Sequence, residues 1–394
     1  MVPLSARAAR PPCTGPGPCA VRHDGRMRAV RYDAVGGTPR LETVPDPVCP
    51  PRGAVIAVRA TGVCRSDWHA WQGHDDTVRL PHTPGHEFAG EVLAVAPEVE
   101  RFAVGDRVTA PFILACGRCE QCRAGAPQVC PDQRQPGFDL PGSWAEQVVV
   151  LEADTNLVAL PEGLGMVAAA DLGCRVGTAF HALHVQGRVR AGQHVAILGC
   201  GGLGLAAAMI ARAIGAEVIA VDVSADALAA AAAHGATTVR VRTGSERADE
   251  LAEEHGDASS RTVADLDEAA RLIRELTGGG AHVALDALGS TATARASIAS
   301  LRPRGRHVQV GLLLGEDADP SLPMGRVISQ ELEIVGSHGL GAAEYPALLA
   351  EVAAGRIDLD GAVGTVIGFE DLPDALVAMG GARPGAGMTV ARVG

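Results

Sequence analysis

Aromatic side chains are scarce: 3 Trp, 2 Tyr and 6 Phe make up 3% of 394 residues. A core must then come from Ala, Val, Leu and Gly, which the 47% hydrophobic content allows. No run of 18 or more apolar residues occurs, so no membrane-spanning helix is expected. Arg7, Arg10, Arg22 and Arg26 near the start are not followed by a continuous apolar stretch, so this stretch is not expected to be a secretory signal. Positive charge is in deficit, 34 Lys+Arg against 46 Asp+Glu, a net −12. Such a chain repels phosphate backbones, so nucleic acid is not an expected partner. Ten cysteines in a long chain with no evident signal read as metal ligands in a reducing cytoplasm, not as a disulfide frame.

The length is enough for two ordinary domains. Residues 1–26 are rich in Pro, Gly and Ala, show no period and read as a disordered leader, with Met27 a candidate start. Residues 27–150 hold short β segments, Met27–Tyr32, Ala54–Ala60, Glu91–Ala96, Arg107–Ala110 and Glu146–Val150, separated by Gly, Pro and Asp. From 176 to 337 strand alternates with helix. His194–Leu198, Glu217–Asp222, Ala281–Ala287, Arg306–Leu312 and Leu332–Gly336 read as strands, Leu203–Ile214 and Ala225–His234 as helices. That alternation implies a parallel, doubly wound sheet. Residues 244–265 are acidic and read as an exposed insertion. β character returns in Val363–Phe369 and Met388–Val393, so residues 338–394 are expected to rejoin the first domain.

The thiols fall into two sets. Cys116, Cys119, Cys122 and Cys130 are spaced C-x2-C-x2-C-x7-C, with Gly117, Gly125 and Pro131 supplying turns. Four thiolates close a tetrahedron around zinc and leave no position for chemistry, so residues 116–130 read as a structural metal lobe. Cys64, His86 and Cys174 are dispersed, each beside a turn: Thr61-Gly62-Val63, Pro84-Gly85 and Gly173. Two thiolates and one imidazole leave a fourth position for water or substrate, as a catalytic zinc needs.

About 25 residues after Cys174 comes Gly199-Cys200-Gly201-Gly202-Leu203-Gly204. It follows a strand and opens a helix, the context in which such a turn receives a pyrophosphate at the helix N-terminus. Asp222 ends the next strand, 18 residues after Gly204. A carboxylate there binds both ribose hydroxyls and repels a 2′-phosphate, which favours NAD over NADP. Arg240 and Arg242 lie too far along the chain to replace it with a basic clamp.

Taken in order, Thr61-Gly62-Val63-Cys64-Arg65-Ser66-Asp67, Pro84-Gly85-His86-Glu87, the four-cysteine lobe and Gly199–Gly204 resemble the zinc-containing medium-chain dehydrogenase/reductase family, of alcohol dehydrogenase type, over residues 27–394. The resemblance implies an α/β architecture: a GroES-like β-rich catalytic domain (27–175, rejoined by 338–394) and a Rossmann domain (176–337) that binds NAD. It implies that Cys64, His86 and Cys174 hold the catalytic zinc, with Glu87 behind the ion and able to bind it during ligand exchange. Asp67 is implied as the carboxylate partner of His86, which would fix the tautomer. A proton relay is implied from Ser66 through the cofactor ribose to His69, although His74 and His82 are nearby alternatives. Arg65 is implied on the pyrophosphate, and Val310, Gly311, Ser337 and His338 at strand ends near the nicotinamide carboxamide. The family often carries a basic residue in its last strand that touches phosphate. Here that stretch reads Gly387-Met388-Thr389-Val390, so the contact is not transferred.

The implied reaction is reversible hydride transfer between an alcohol held at zinc and nicotinamide C4. Ser66, Trp68, Phe112, Phe138 and Trp144 are pocket or core candidates and suit an aliphatic or aromatic alcohol, or its aldehyde or ketone. The competing readings are a polyol or thiol-adduct dehydrogenase, a zinc-free reductase and an inactive zinc-binding protein. Two zinc ions per chain and a homodimer or homotetramer are expected.

Overall fold

The computed structural model describes residues 25–242, 260–381 and 387–394. Sixteen strands are seen among them. Seven lie in the first part: β1 (Arg26–Arg31), β2 (Arg40–Pro45), β3 (Ala54–Val63), β4 (Phe88–Val95), β5 (Arg107–Thr109), β6 (Gln147–Val150) and β7 (Val158–Ala159). Seven follow: β8 (His194–Leu198), β9 (Glu217–Asp222), β10 (Thr237–Val241), β11 (Ser260–Val263), β12 (Ala281–Asp286), β13 (Leu301–Gln309) and β14 (Glu333–Gly336). β15 (Val363–Gly368) and β16 (Met388–Arg392) close the chain.

β8 to β14 form one parallel sheet in the order β11-β10-β9-β8-β12-β13-β14. Parallel strands are covered on both faces and so tolerate uninterrupted apolar runs. In β8, Val195, Ala196, Ile197 and Leu198 are all buried. The helix Gly202–Ile214 packs through Ala206, Ala207 and Ala208, where small side chains let it approach the sheet. Gly215, at φ 88°, ends it in the left-handed conformation that favours glycine. Few aromatics are needed because these layers pack on methyl groups.

The other large sheet runs β15-β16-β3-β4-β5-β7, with β6 also on β3. The antiparallel β16–β3 pairing returns the chain end to the first sheet. Its core gathers Ile56, Phe88, Trp144, Phe369 and Leu372. A further cluster joins the two sheets through Leu172, Val176, Ile197 and Tyr345. Cys174 and the helix Arg175–His181 lie in this joining layer.

Several expectations change. Thr61-Gly62-Val63 is the end of β3, not a turn, and Cys64 caps the helix Arg65–Trp71. Of the acidic stretch 244–265, residues 244–259 lie outside the described residues. Ser260–Val263 is a parallel edge strand on β10, and Asp265 caps the next helix by accepting from Glu268 N at 2.8 Å. Of residues 1–26 only Gly25 and Arg26 are described, and Arg26 already pairs with Pro45 in the first hairpin. The tail is not only β: the helix Tyr345–Ala353 packs in the joining layer.

Candidate active site

The structure brings Cys64, His86, Glu87 and Cys174 together, with ligand atoms all within 4.8 Å of one another. They arrive from three places: the end of β3, the turn before β4, and the start of the helix Arg175–His181. Gly85 reaches its position at φ 101°, where a Cβ would lie 2.6 Å from Trp144 N. Thr61 Oγ1 donates to Glu87 O at 2.9 Å, and Trp144 Nε1 donates to Gly62 O at 3.0 Å. Trp144 is fully buried and is therefore core, not pocket lining. Phe112 and Phe138 do flank His86, at ring distances of 6.1 and 5.1 Å.

Asp67 is the organiser. Its Oδ2 accepts from Cys64 N at 3.0 Å. Its Oδ1 accepts from Gly85 N at 3.0 Å and lies 3.0 Å from His86 Nδ1. One buried carboxylate thus holds two donor-bearing segments and fixes Nδ1–H on His86. Nε2 is left as the lone-pair nitrogen, buried and without a hydrogen-bond partner. An unpaired buried polar atom is costly, so a nitrogen aimed at two thiols calls for a metal ion. Burial opposes charge on His86, but Asp67 overrides it and holds its pKa well above the usual imidazole range, so a metal ion would have to displace a proton to use the Nε2 lone pair. Between the two thiols, a hydrogen bond from Cys174 holds Cys64 well down, and the same bond, with burial, holds Cys174 well up.

Glu87 is locked from behind. Arg175 Nε donates to its Oε1 at 2.9 Å and Nη2 to its Oε2 at 2.5 Å, while Arg175 N also reaches Oε1 at 3.1 Å. Nη2 donates as well to Asp171. Burial pushes Glu87 up to about 8 and Asp171 to about 6, with Arg175 opposing both.

Cys116, Cys119, Cys122 and Cys130 form the second cluster, also within 4.8 Å. Three of the sulfur pairs, Cys119–Cys122, Cys116–Cys130 and Cys119–Cys130, are 3.4 to 3.7 Å apart. That is far beyond a disulfide at about 2.05 Å and matches the edge of a four-sulfur zinc tetrahedron. Cys122 N donates to Cys119 Sγ at 3.4 Å and Cys116 N to Cys130 Sγ at 3.5 Å. Asn156 secures the base of the lobe, accepting from Ala115 N at 2.9 Å and donating to Ala115 O at 3.0 Å.

The glycine turn has the geometry a dinucleotide needs. Gly199 stands at φ 91°, and a Cβ on Gly204 would lie 1.8 Å from Gly199 O. Gly201 caps the helix that Gly202, Leu203 and Gly204 begin. Asp222 accepts from Cys200 N at 2.6 Å and Ser224 N at 2.8 Å, so its carboxylate is fixed at the mouth of the turn. Arg240, expected to be distant, is paired across from Asp222, and its Nε donates to Val223 O at 3.4 Å. Parallel pairing cancels the separation in sequence. Val310 and Gly311 follow β13, and both donate to Asp286 O, at 3.1 and 2.8 Å. Ser337 N donates to Gln309 O at 2.9 Å, and His338 stacks edge-on against Phe112 at 5.4 Å.

Ser66 lies 3.8 Å from Cys64 Sγ. His69 is half-buried, and its Nδ1 is 3.0 Å from His74 Nδ1. His82 is buried and bonded to Gly137 O at 2.9 Å, which removes it from the relay alternatives. Arg65 is exposed, stacks on Trp68 at 4.5 Å and donates to Met379 O. Sequence reasoning missed Arg175, Asp171, Asp286 and Asn156. Only the charge of Arg175 beside a thiol ligand in an otherwise apolar stretch gave any sign.

Residues 50–162 match the alcohol dehydrogenase GroES-like domain, and residues 202–354 match the zinc-binding dehydrogenase domain. The chain is 31% identical over 313 residues to the D-arabitol-phosphate dehydrogenase of Enterococcus avium, covering 78% of this chain and 80% of that one. It is 32% identical over 334 residues to a probable D-xylulose reductase A of Aspergillus terreus, covering 82% and 87%. Among solved structures, the alcohol dehydrogenase TADH from Thermus sp. ATN1 superposes with a TM-score of 0.79 at 28% identity, covering 93% of this chain and 100% of that one. The chain belongs to the zinc-dependent alcohol dehydrogenase family of medium-chain dehydrogenases. It is an oxidoreductase that pairs a GroES-like unit with a Rossmann sheet and uses zinc and a nicotinamide cofactor.

Proposed function

We propose that this enzyme catalyses reversible, NAD-linked oxidation of an alcohol at a zinc held by Cys64, His86 and Cys174, with a second, structural zinc on Cys116, Cys119, Cys122 and Cys130. The observation that carries this reading is the buried, unpartnered Nε2 of His86 facing two thiols within 4.8 Å. Zinc supplies Lewis acidity that lowers the pKa of an alcohol, and the nicotinamide accepts its hydride.

The protein's own work is orientation and proton handling. Asp67 fixes His86. Phe112 and Phe138 exclude water beside it. Ser66, next to Cys64, would take up the substrate proton, and the half-buried His69 would pass it outward. Glu87 is a reserve ligand that must leave Arg175 before it can bind metal. Asp222 holds the ribose and selects NAD. Arg240 lies close enough to blunt that preference, so the ratio of NAD to NADP turnover is the measurement that decides it. The turn Gly199–Gly204 receives the pyrophosphate, and Val310, Gly311 and Ser337 lie where the carboxamide would bind.

A polyol substrate is the second reading. By name, one of the two relatives oxidises a polyol phosphate and the other reduces a ketose, whose reduced form is a polyol. A cavity of about 400 Å³ beside His338 is lined by Gln128, Gln186, Gln309 and Ser337. Gln128 Oε1 and Ser337 Oγ are buried there without partners, as a ligand rich in hydroxyls would require. A panel of simple alcohols and polyols separates the two, and no reduction of NAD⁺ or NADP⁺ with any of them would overturn both.

The units 27–175 with 338–394, and 176–337, are supported by the β16–β3 pairing. A homodimer or homotetramer is supported by β14, the sheet edge, with Met324 and Ile328 exposed nearby. Sedimentation tests it. A reducing, cytoplasmic setting suits eight described cysteines that are all free thiols. No helix among the described residues is long and apolar enough to cross a membrane.

A further inference from the structure

The sequence contains no lysine, so every fixed side-chain cation is an arginine. One of them, Arg175, is only 7% exposed and directly follows Cys174. Its Nε and Nη2 are committed to Glu87 and Asp171. Its Nη1 makes no hydrogen bond among the described residues.

Two glycines make room for this side chain, and they come from the two motifs that define the site. A Cβ on Gly62, two residues before Cys64, would lie 2.1 Å from Glu87 Oε2 and 2.9 Å from Arg175 Nη2. A Cβ on Gly202, in the dinucleotide turn, would lie 2.6 Å from Arg175 Cδ and 3.0 Å from its Nη1. The uncommitted edge of the guanidinium therefore rests against the backbone that begins the helix Gly202–Ile214. The same point on Gly202 would be 3.4 Å from Met388 Cγ, in β16. The last strand thus reaches this turn but brings a thioether where a cation would serve a phosphate. Arg65, the other candidate, spends a donor on Met379 O and its face on Trp68.

We propose that Arg175 supplies, from behind Cys174, the positive charge for the dinucleotide pyrophosphate that β16 lacks, and that through Glu87 it links cofactor occupancy to the metal site. It is a binding and positioning residue, not a proton carrier. A guanidinium suits both duties because its fork serves Glu87 while a separate nitrogen faces the turn. A phosphate drawn to that nitrogen fixes the guanidinium, and with it Glu87, away from the metal pocket, so an occupied cofactor site holds Glu87 back from ligand exchange. The inference rests on Gly199–Gly204 being the dinucleotide site.

The test uses the zinc-loaded full chain and two probes: ADP-ribose, which has the pyrophosphate but no nicotinamide, and adenosine, which has neither. Arg175→Gln is expected to weaken ADP-ribose on the order of ten- to a hundredfold, the scale of a charged hydrogen bond, and to leave adenosine unchanged. Adding Met388→Arg should recover part of the loss. Arg175→Lys keeps the counter-charge for Glu87 and Asp171, so it carries the test if Arg175→Gln does not fold. In the wild type ADP-ribose is expected to slow zinc release to a chelator; Arg175→Lys should keep its zinc, bind ADP-ribose several-fold more weakly, and lose that slowing. A folded Arg175 variant that binds ADP-ribose as the wild type does would overturn the inference. A wild-type chain that binds no ADP-ribose would instead overturn the dinucleotide reading beneath it.

Discussion

The lobe at Cys116–Cys130 and the cluster at Cys64, His86 and Cys174 use similar donors to opposite ends. The lobe's four sulfurs come from one stretch of chain, and its own backbone N–H groups point at two of them. A zinc bound there would engage all four sulfurs and leave no position for a substrate. The cleft cluster draws its donors from three segments, which two buried carboxylates, one arginine and a threonine hold in place. One nitrogen is left with no protein partner. In the proposed account local closure serves stability, whereas a convergent site with one nitrogen left unpaired serves chemistry. Metal removal should accordingly mean different things at the two places.

The sharpest way to break this contrast is to delete one ligand from each. Cys64→Ser should lower alcohol-dependent NAD⁺ reduction on the order of 10³-fold or more, because the polarising ion is lost or misplaced, while the melting temperature barely moves. Cys119→Ser should do the reverse. Structural zinc binding contributes roughly 10 kcal/mol or more of apparent folding free energy to small domains, so the lobe should melt early while turnover per folded chain persists. Equal loss of activity without loss of stability in Cys119→Ser would erase the distinction.

Asp67→Asn tests whether the supports matter as much as the ligands. The amide cannot accept from Cys64 N, Gly85 N and His86 together with the same charge. Metal affinity at the cleft should fall about 10- to 100-fold, with no change at the lobe, as chelator competition would reveal.

At the cofactor mouth, Asp222→Ala should raise the NADP to NAD ratio of kcat/KM, roughly tenfold for one removed carboxylate. Arg240 across the strand should aid the 2′-phosphate once Asp222 is gone. An unchanged ratio would mean that neither side chain reads the ribose.

The smallest effect concerns pH. Burial, then the neighbouring His74 and Arg65, hold His69 below the usual imidazole pKa. It is therefore already the free base at neutral pH, and the acid limb of alcohol oxidation should lie below the usual histidine range. His74→Ala removes one of the neighbours that hold His69 down, so the limb should move up in pH. His69→Gln should abolish it.

Most of the site was legible because its donors are rare residue types in recognisable local settings. The four cysteines and the glycine turn lie within short stretches, where spacing constrains geometry. His194–Leu198 and Glu217–Asp222 were read to the residue, since a buried parallel strand announces itself as an apolar run. What stayed hidden depends on distant pairing. Arg240 sits opposite Asp222 only because β9 and β10 are parallel and in that register. Arg175 reads as one charge in an apolar helix until Gly62 and Gly202 are seen to leave it space. β11 was masked by acidic neighbours, and an edge strand needs little hydrophobicity of its own.

The most direct test of the two-site account is zinc content by mass spectrometry, paired with NAD⁺ reduction across an alcohol panel, for the wild type, Cys64→Ser and Cys119→Ser. The account predicts two zinc ions per chain with turnover in the wild type, one ion without turnover in Cys64→Ser, and one ion with turnover per folded chain in Cys119→Ser. A wild-type enzyme that turns over with a single zinc, or a Cys64→Ser enzyme that keeps its activity, would contradict it.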